Sequence, residues 1–488
     1  MDESRRISHP DPKPAAGGSG FVVQPCSPLA VCRQGLSTEA AACISALERD
    51  GQTAWAVGGC VRDMLLGRTP SDFDIATSAP VEHAVQLLES DGWAVIATGL
   101  RHGTITAVSN GTAIEVTTYR LDGTYSDGRH PDSVAFTDSI DDDLERRDFT
   151  INAMAFHPQR GFKDPFGGIA DLERGIIRAV GNPQQRFNED GLRILRCLRF
   201  ASQLSFAVES ETIQAARALA ASTSLLSPQR VESEIRKLVC GENAGGVISE
   251  HYGIIGCTIP EIVPMAGLEQ RSPYHCFDVL EHTLRTMAAT PPEPDLRYAA
   301  LFHDMGKPDT MTIDEQGRGH FYAHPERSEA MAEAIMDRLR FAKHESSRIR
   351  LLVRFHDASL HATERSIRRM MAQLGDDEGL LRKLIVLKRA DALAHAPGHT
   401  DRAVEMDGVE TLLDSMVARR QALKRRDLAI CGTDLMQLGI GEGPAIGRML
   451  ASLFEDVVEE RVENDRDALM EIARRKLAEE STGHAPRA

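Results

Sequence analysis

Residues 54–75 read AWAVGGCVRDMLLGRTPSDFDI, and no other stretch constrains the chain as much. A short apolar run ends in Gly58-Gly59, and further on Asp72 and Asp74 flank a single Phe. On a β-strand, residues i and i+2 leave the same face, roughly 6–7 Å apart. Two carboxylates so placed can grip a divalent metal, and hard cations such as Mg²⁺ favour oxygen ligands. A glycine pair just upstream lets backbone N–H groups approach phosphate oxygens closely. A phosphate loop beside metal-binding carboxylates points to nucleotidyl or phosphoryl transfer. D-x-D alone is common on surface strands; the Gly pair and the adjoining Arg62-Asp63 lift it above that background.

At 488 residues the chain has room for about three or four domains. It is 42% hydrophobic, with no apolar run long enough to span a bilayer. The N-terminus lacks a secretory pattern, and the nine cysteines form no C-x-x-C, so neither a zinc knuckle nor a disulfide framework is predicted. The expected compartment is the cytoplasm. A net charge of −16 speaks against a protein coated in basic surface, although local patches matter more than the sum. Arg419, Arg420, Lys424, Arg425 and Arg426 make one such patch, and a solvated helix face explains that run equally well.

Residues 1–37 read as a mobile tail and 38–50 as a short helix. Strands are predicted at 54–58, 72–76, 93–97, 104–108 and 112–118, with a helix after Gly59 closed by Gly67 and another at 81–91. That mixture makes a small α/β domain ending near residue 172. Beyond Gln184 the pattern is helical almost to the end, punctuated near Ser227-Pro228, Pro291-Pro292 and Gly439–Pro444. The fold class is therefore α+β.

The predicted strand TAIEVTTYR carries Glu115, with Ile114 and Val116 on the opposite face. On a strand neighbouring Asp72 and Asp74, Glu115 would complete a two-metal cage, one ion activating the attacking hydroxyl and one neutralising the leaving pyrophosphate. In the run LERRDFTINA, Arg147 can pair with phosphate oxygens while Asp148 accepts from a ribose hydroxyl, selecting ribonucleotides. In NEDGLRILRCLRFA, Asp190 and Arg193 lie three apart and are predicted to share a helix face. Asp accepts from an exocyclic amine and Arg donates to a ring nitrogen or carbonyl. Cytosine and adenine satisfy such a pair; guanine and uracil present a carbonyl where the amine should be. Arg196 and Arg199 continue at the same spacing, to hold phosphate or the helix itself.

Together these elements resemble the class II tRNA nucleotidyltransferases, the CCA-adding enzymes and their relatives the bacterial poly(A) polymerases. The match runs over about residues 50–240, through GGCVRD with DFD, GLRHGT, YSDGRHPD, RRDFTINAMAF, DPFGG, EDGLRILRCLRF and SPQRVESEIRK. The resemblance implies a polymerase-β-like head followed by all-α neck, HD and C-terminal regions. It implies that Asp72 and Asp74 bind Mg²⁺ and, with Glu115, carry catalysis. Gly58, Gly59, Arg62, Asp63, Arg147, Asp148, Asn152, Asp190, Arg193, Arg196 and Arg199 fall in its motifs as the candidate nucleotide-binding set, for CTP or ATP. Asp164–Gly168 matches the family's hinge between head and neck. GLRHGT at 99–104 resembles the CCA-adding branch, so the expectation is addition of C, C and A to tRNA 3′ ends without a nucleic-acid template. The alternatives are poly(A) addition at RNA 3′ ends, or an HD-type metal-dependent phosphohydrolase acting on RNA ends or nucleotides; a non-catalytic RNA-binding protein is disfavoured because both metal-site carboxylates are present. The expected partners are tRNA, CTP and ATP, with no membrane.

Residues 270–395 carry His282, His303-Asp304, His324, His356 and Asp391, and LFHDMGKP is the strongest element among them. Imidazoles with carboxylates suit a transition-metal ion or ion pair. The pattern resembles the HD phosphohydrolase domain, which implies that Asp304 bridges metals while bound hydroxide attacks phosphate; an RNA end carrying a 2′,3′-cyclic phosphate would suit it. His344 and His395 read as ordinary helix residues. The expected partition is tail 1–37, head 38–172, neck 173–265, HD domain 266–398 and a C-terminal RNA-contacting region 399–488.

Overall fold

A computed structural model describes residues 28–100, 103–122, 134–398, 401–418, 427–441, 443–459 and 461–482. Residues 1–27 of the expected tail, Arg101 and His102 of GLRHGT, YSDGRHPD at 125–132, and the basic patch 419–426 lie outside the described residues. The chain forms two compact units: among the described residues, the first takes 28–122, 134–147 and 151–169, and the second takes 148–150 and the chain from Ala170 onward. Among the described residues, no helix is long and apolar enough to cross a membrane.

The first unit is built on strands β1 (Ala54–Val57), β2 (Phe73–Thr77), β3 (Ala94–Gly99), β4 (Thr104–Ser109), β5 (Thr112–Thr118), β6 (Arg120–Asp122), β7 (Val134–Phe136), β8 (Ala155–His157) and β9 (Gly161–Lys163). Seven of them make one sheet in the order β3-β4-β5-β2-β1-β8-β9, and β6 pairs with β7 separately. β2 and β5 run parallel, whereas β1 pairs antiparallel with both neighbours. All four residues of β1 are buried, as befits a strand in the middle of a sheet. β5 alternates instead: Ile114, Val116 and Thr118 are buried while Ala113 and Glu115 face out. Helices Thr38–Leu47 and Val81–Ser90 cover the apolar side, the first capped by Ser37 Oγ accepting from Ala40 N–H. Residues 28–35, read from sequence as tail, form a helix whose Cys32 joins this core. The apolar spacing there is too short to announce itself, and only contact with the core reveals it.

The second unit is mostly helical. The expected breaks are present: Ser227-Pro228 starts the helix Pro228–Val239, Pro291-Pro292 separates Val279–Ala288 from Pro294–Phe302, and Pro444 opens Pro444–Val458. Two small pairings went unpredicted, Ile176–Ile177 parallel with Ala207–Val208 and the hairpin Met311–Ile313/Gly319–Phe321. Each strand is two or three residues long, below the length at which alternation can be read. Leu435, Leu453 and Leu469 centre a separate apolar cluster near the C-terminus.

Candidate functional site

The head site starts where β1 meets the helix Gly59–Leu65. Gly58 sits between them with φ +74°, a conformation that favours glycine. A Cβ at residue 58 would lie 2.7 Å from Nη1 of Arg147, so glycine also provides the space the guanidinium occupies. Arg62 donates to Asp63 Oδ1 and Asn152 Oδ1, each at 2.8 Å, which gathers the motif residues Arg62, Asp63 and Asn152 beside the glycine pair.

Asp72 stands at the entry to β2 and Asp74 within it, with Phe73 and Ile75 buried on the other side. The parallel register sets Asp74 directly against Glu115. Burial, reinforced by the charges of Glu115 and Asp72 and opposed by Arg147, pushes the Asp74 carboxyl up to about 6. Such crowding of like charge is what a bound cation would relieve. Arg147 also donates to buried Asp143 at 3.1 Å, and Asp143 takes Arg146 as well. Burial would raise the Asp143 carboxyl, but the two guanidinium groups outweigh it and hold it below the usual range. Asp143 was missed from sequence; its signal is the i, i+3 and i+4 spacing in DDDLERR.

The structure corrects the base-reading helix. Asp190 is not on the helix with Arg193: it terminates Pro183–Glu189 in extended backbone, φ −146° and ψ 106°, and Leu192–Leu204 begins beyond Gly191. The carboxylate is stationed at the break, taking Leu192 N–H at 3.0 Å and Arg230 Nη2 at 2.7 Å. Arg193 donates to Glu189 at 2.6 Å and to the Arg186 carbonyl at 3.2 Å. Unbroken helical spacing conceals this, since Asp190 caps the end of one helix and Gly191 directly caps the start of the next. Arg196 Nε donates to Asp148 Oδ2 at 2.7 Å, and Arg199 pairs with Glu234 at 2.7 Å. Both guanidiniums thus face protein carboxylates. Asp148 is buried and also accepts from Phe149 N–H.

The HD ligands come from segments distant in sequence yet converge: His282, His324 and Asp391 from three helices, His303-Asp304 from the turn after Pro294–Phe302, and His356 from the C-cap of Lys343–Phe355. His282 Nε2 lies 2.9 Å from Asp391 Oδ1 and 3.5 Å from Asp304 Oδ2, and His303 Nε2 lies 3.2 Å from Asp304 Oδ2. On the other side of the same carboxylate, Asp304 Oδ1 is 3.4 Å from His324 Nε2 and 3.7 Å from His356 Nε2. Two donor groups result, His282/His303/Asp304 and Asp304/His324/His356, each within 4.8 Å. Asp72, Asp74 and Glu115 are not among the donor groups that close.

The imidazoles are oriented for ligation. Nδ1 of His303, His324 and His356 donates to the carbonyls of Ala300, Phe321 and Val353 at 2.7, 2.9 and 2.7 Å, and Nδ1 of His282 lies 3.3 Å from the Ala394 carbonyl. A carbonyl only accepts, so each ring turns Nε2 inward. His303 Nε2 is buried without a well-formed hydrogen bond, a state a divalent cation would resolve. The donor set fits a transition-metal ion or pair. Lys307, three residues after Asp304, places Nζ 2.7 Å from Asp304 Oδ2 and 2.7 Å from Gln270 Oε1. His395 packs its ring 4.6 Å from His275 beside the cluster, so it lines the site rather than a plain helix.

Comparison with known proteins agrees with this layout. The poly(A) polymerase head domain model matches residues 54–178, the HD domain model 274–396 and the model for tRNA nucleotidyltransferase domain 2 residues 382–473. The CCA-adding enzyme of Levilactobacillus brevis is 32% identical over 440 residues, covering 88% of this chain and 95% of that one. The chain belongs to the CCA-adding enzyme family. Within that family, the Geobacillus kaustophilus enzyme is 46% identical over 198 residues, 41% of this chain and 48% of its own. Among solved structures, the Bacillus stearothermophilus CCA-adding enzyme in complex with CTP is 27% identical with a TM-score of 0.67, covering 91% of this chain and 98% of that chain.

Proposed function

We propose that this protein is a nucleotidyltransferase that adds C, C and A to tRNA 3′ ends from CTP and ATP, without a nucleic-acid template and with Mg²⁺. The observation that carries the reading is the register of Asp74 against Glu115 in a chain matching CCA-adding enzymes along nearly its whole length. Asp72 and Asp74 would hold Mg²⁺, with Glu115 beside them; the ion supplies activation of the terminal hydroxyl and neutralisation of pyrophosphate. Gly58, Gly59, Arg62 and Arg147 bind the triphosphate, and Asp63 and Asn152 hold Arg62 in place. Asp148 accepts from the ribose. Asp190 and Arg193 read the base edge, Asp190 steadied by Arg230 and Arg193 by Glu189; Arg196 and Arg199 brace the helix that carries Arg193. Asp164 Oδ1 and Oδ2 take the N–H groups of Gly168 and Ile169 at 2.6 and 2.9 Å, supporting a hinge at DPFGG. We assign a head ending near residue 172, a neck to 265, an HD domain to 398 and an RNA-contacting region beyond.

Incubating the protein with tRNA lacking CCA, CTP and ATP tests this: C, C and A are expected in order. Long A tails without CTP incorporation would replace the reading with poly(A) addition.

The convergent imidazoles favour a second activity, metal-dependent hydrolysis of phosphate esters at the HD domain, where His282, His303, Asp304, His324, His356 and Asp391 would hold the metal. Asp304→Ala is expected to abolish phosphate release and spare CTP incorporation, and Asp72→Ala to do the reverse.

A further inference from the structure

The head sheet continues past the candidate metal carboxylates as an open face. Register sets Asp74 against Glu115, Glu115 against Thr106 and Thr106 against Ile96, one row across β2, β5, β4 and β3. A second row sets Thr117 against Thr104. Side chains opposite one another in a sheet share a face. On this face Thr98 is exposed, Thr104, Thr106 and Thr117 are half-buried, and Ile96 is 54% exposed. We propose that the face seats the 3′ end of the acceptor RNA and that its threonine hydroxyls read ribose 2′-hydroxyls. The proposal rests on the nucleotidyltransferase reading and adds to it a surface for the attacking strand.

Sheet order decides which substrate lies here. The strands run β3-β4-β5-β2-β1-β8-β9. Gly58 follows β1 and Asn152 precedes β8, and Arg62 joins them, so the triphosphate cradle stands on the β1–β8 side of Asp74 and Glu115. The threonine face stands on the other side. In phosphoryl transfer the attacking and leaving oxygens lie roughly in line through phosphorus. With pyrophosphate departing toward Gly58 and Arg147, the attacking hydroxyl must arrive from the β5–β4 side. From Glu115 to Ile96 is two strand spacings, about 10 Å. That is the length of about three nucleotides stacked as in a duplex, at about 3.4 Å each.

The face is chemically suited to ribose. Beyond Glu115 both rows are uncharged. Thr98 Oγ1 and Thr106 Oγ1 are 3.2 Å apart, and Thr104 Oγ1 and Thr117 Oγ1 are 3.1 Å apart. Within each pair one hydroxyl donates to the other, which leaves one O–H and spare lone pairs for a ligand. A 2′-hydroxyl both donates and accepts, and it is the group by which a protein tells RNA from DNA. Ile96 closes the row with an apolar surface.

The test uses the full-length protein with CTP and Mg²⁺ and compares two acceptors. One is tRNA lacking CCA; the other is the same tRNA with 2′-deoxyribose at its last three nucleotides. The KM for the all-ribose acceptor is expected to be about three- to tenfold lower, the worth of one hydrogen bond or two. Thr106→Val and Thr117→Val keep the β-branched shape and should each raise that KM by about the same factor. They should leave the KM values for the deoxy-ended acceptor and for CTP unchanged, and Thr106→Ser and Thr117→Ser should restore the preference. A loss shared equally by both acceptors, a change confined to CTP, or a wild-type protein blind to the 2′-hydroxyls would each overturn the proposal. Valine variants with unchanged acceptor KM but an altered oligomeric state would assign the face to a second copy of the chain. Failure of the wild type to extend either acceptor would instead overturn the underlying nucleotidyltransferase reading.

Discussion

Gly58 leaves the space that Arg147 fills: a Cβ at residue 58 would stand 2.7 Å from Nη1 of the arginine. Two constraints meet there, since the backbone also has φ +74°. Gly58→Ala must therefore strain the turn and displace the guanidinium. We expect a loss of about 1–3 kcal/mol in thermal stability and a KM for CTP raised about tenfold or more through the lost phosphate contact. Steady-state kinetics and thermal melts check both, and an unchanged KM would remove Arg147 from triphosphate binding.

Asp74 should destabilise the metal-free head. Its carboxyl, pushed up to about 6, binds more protons in the native state than in the unfolded state between the ordinary carboxylate range and pH 6. Stability accordingly falls as pH rises through that window. Asp74→Asn is expected to raise stability in EDTA by about 1–3 kcal/mol at pH 8 and by less at pH 5, while abolishing nucleotide incorporation. A melt showing no gain at pH 8 would contradict the charge crowding at Asp74 and Glu115.

His324 Nε2 and His356 Nε2 face each other at 3.2 Å with both Nδ1 atoms committed to carbonyls. Two inward lone pairs at that distance call for a shared cation. Metal analysis of the purified protein should find ions bound at the HD domain, His356→Ala should lose the His324/His356 position while retaining the His282/His303 one, and Asp304→Ala should lose both. Equal loss in His356→Ala and Asp304→Ala would argue against two separable positions.

Metal loading at the other half should depend on pH. Burial would push the His303 imidazole down, but Asp304 and Asp391 outweigh it and carry it up to about 10 in the metal-free protein. A metal must displace that proton, so apparent affinity should rise by roughly tenfold per pH unit below about 10. Competition titrations at pH 6, 7 and 8 measure the slope, and a flat profile would exclude His303 as a ligand.

Arg230 pairs with Asp190 at 2.7 Å and should set base selection. Arg230→Ala is expected to increase incorporation of UTP relative to CTP about tenfold, with Arg230→Lys partly restoring the preference. Unchanged discrimination would mean Asp190 needs no support from Arg230.

Much of the candidate site was legible because it follows local periodicity. Glu115 opposes buried Ile114 and Val116 because strand side chains alternate, as the sequence pattern indicates. Asp190 was misread because three-residue spacing cannot distinguish one helix from two helices joined at Gly191. The Pro28–Gly35 helix escaped notice because its signal is burial of Cys32, a tertiary fact.

The residues alone thus singled out Asp72, Asp74 and Glu115 as candidate metal ligands and the Gly58-Gly59 turn as a candidate phosphate loop. Only the tertiary structure decided that Glu115 stands against Asp74, through parallel pairing of strands distant in sequence. It also brought His282, His303, Asp304, His324, His356 and Asp391 into contact and sent Arg196 and Arg199 to protein carboxylates. Such pairings depend on which elements pack together, and packing is set by buried area and register across the fold rather than by spacing along the chain.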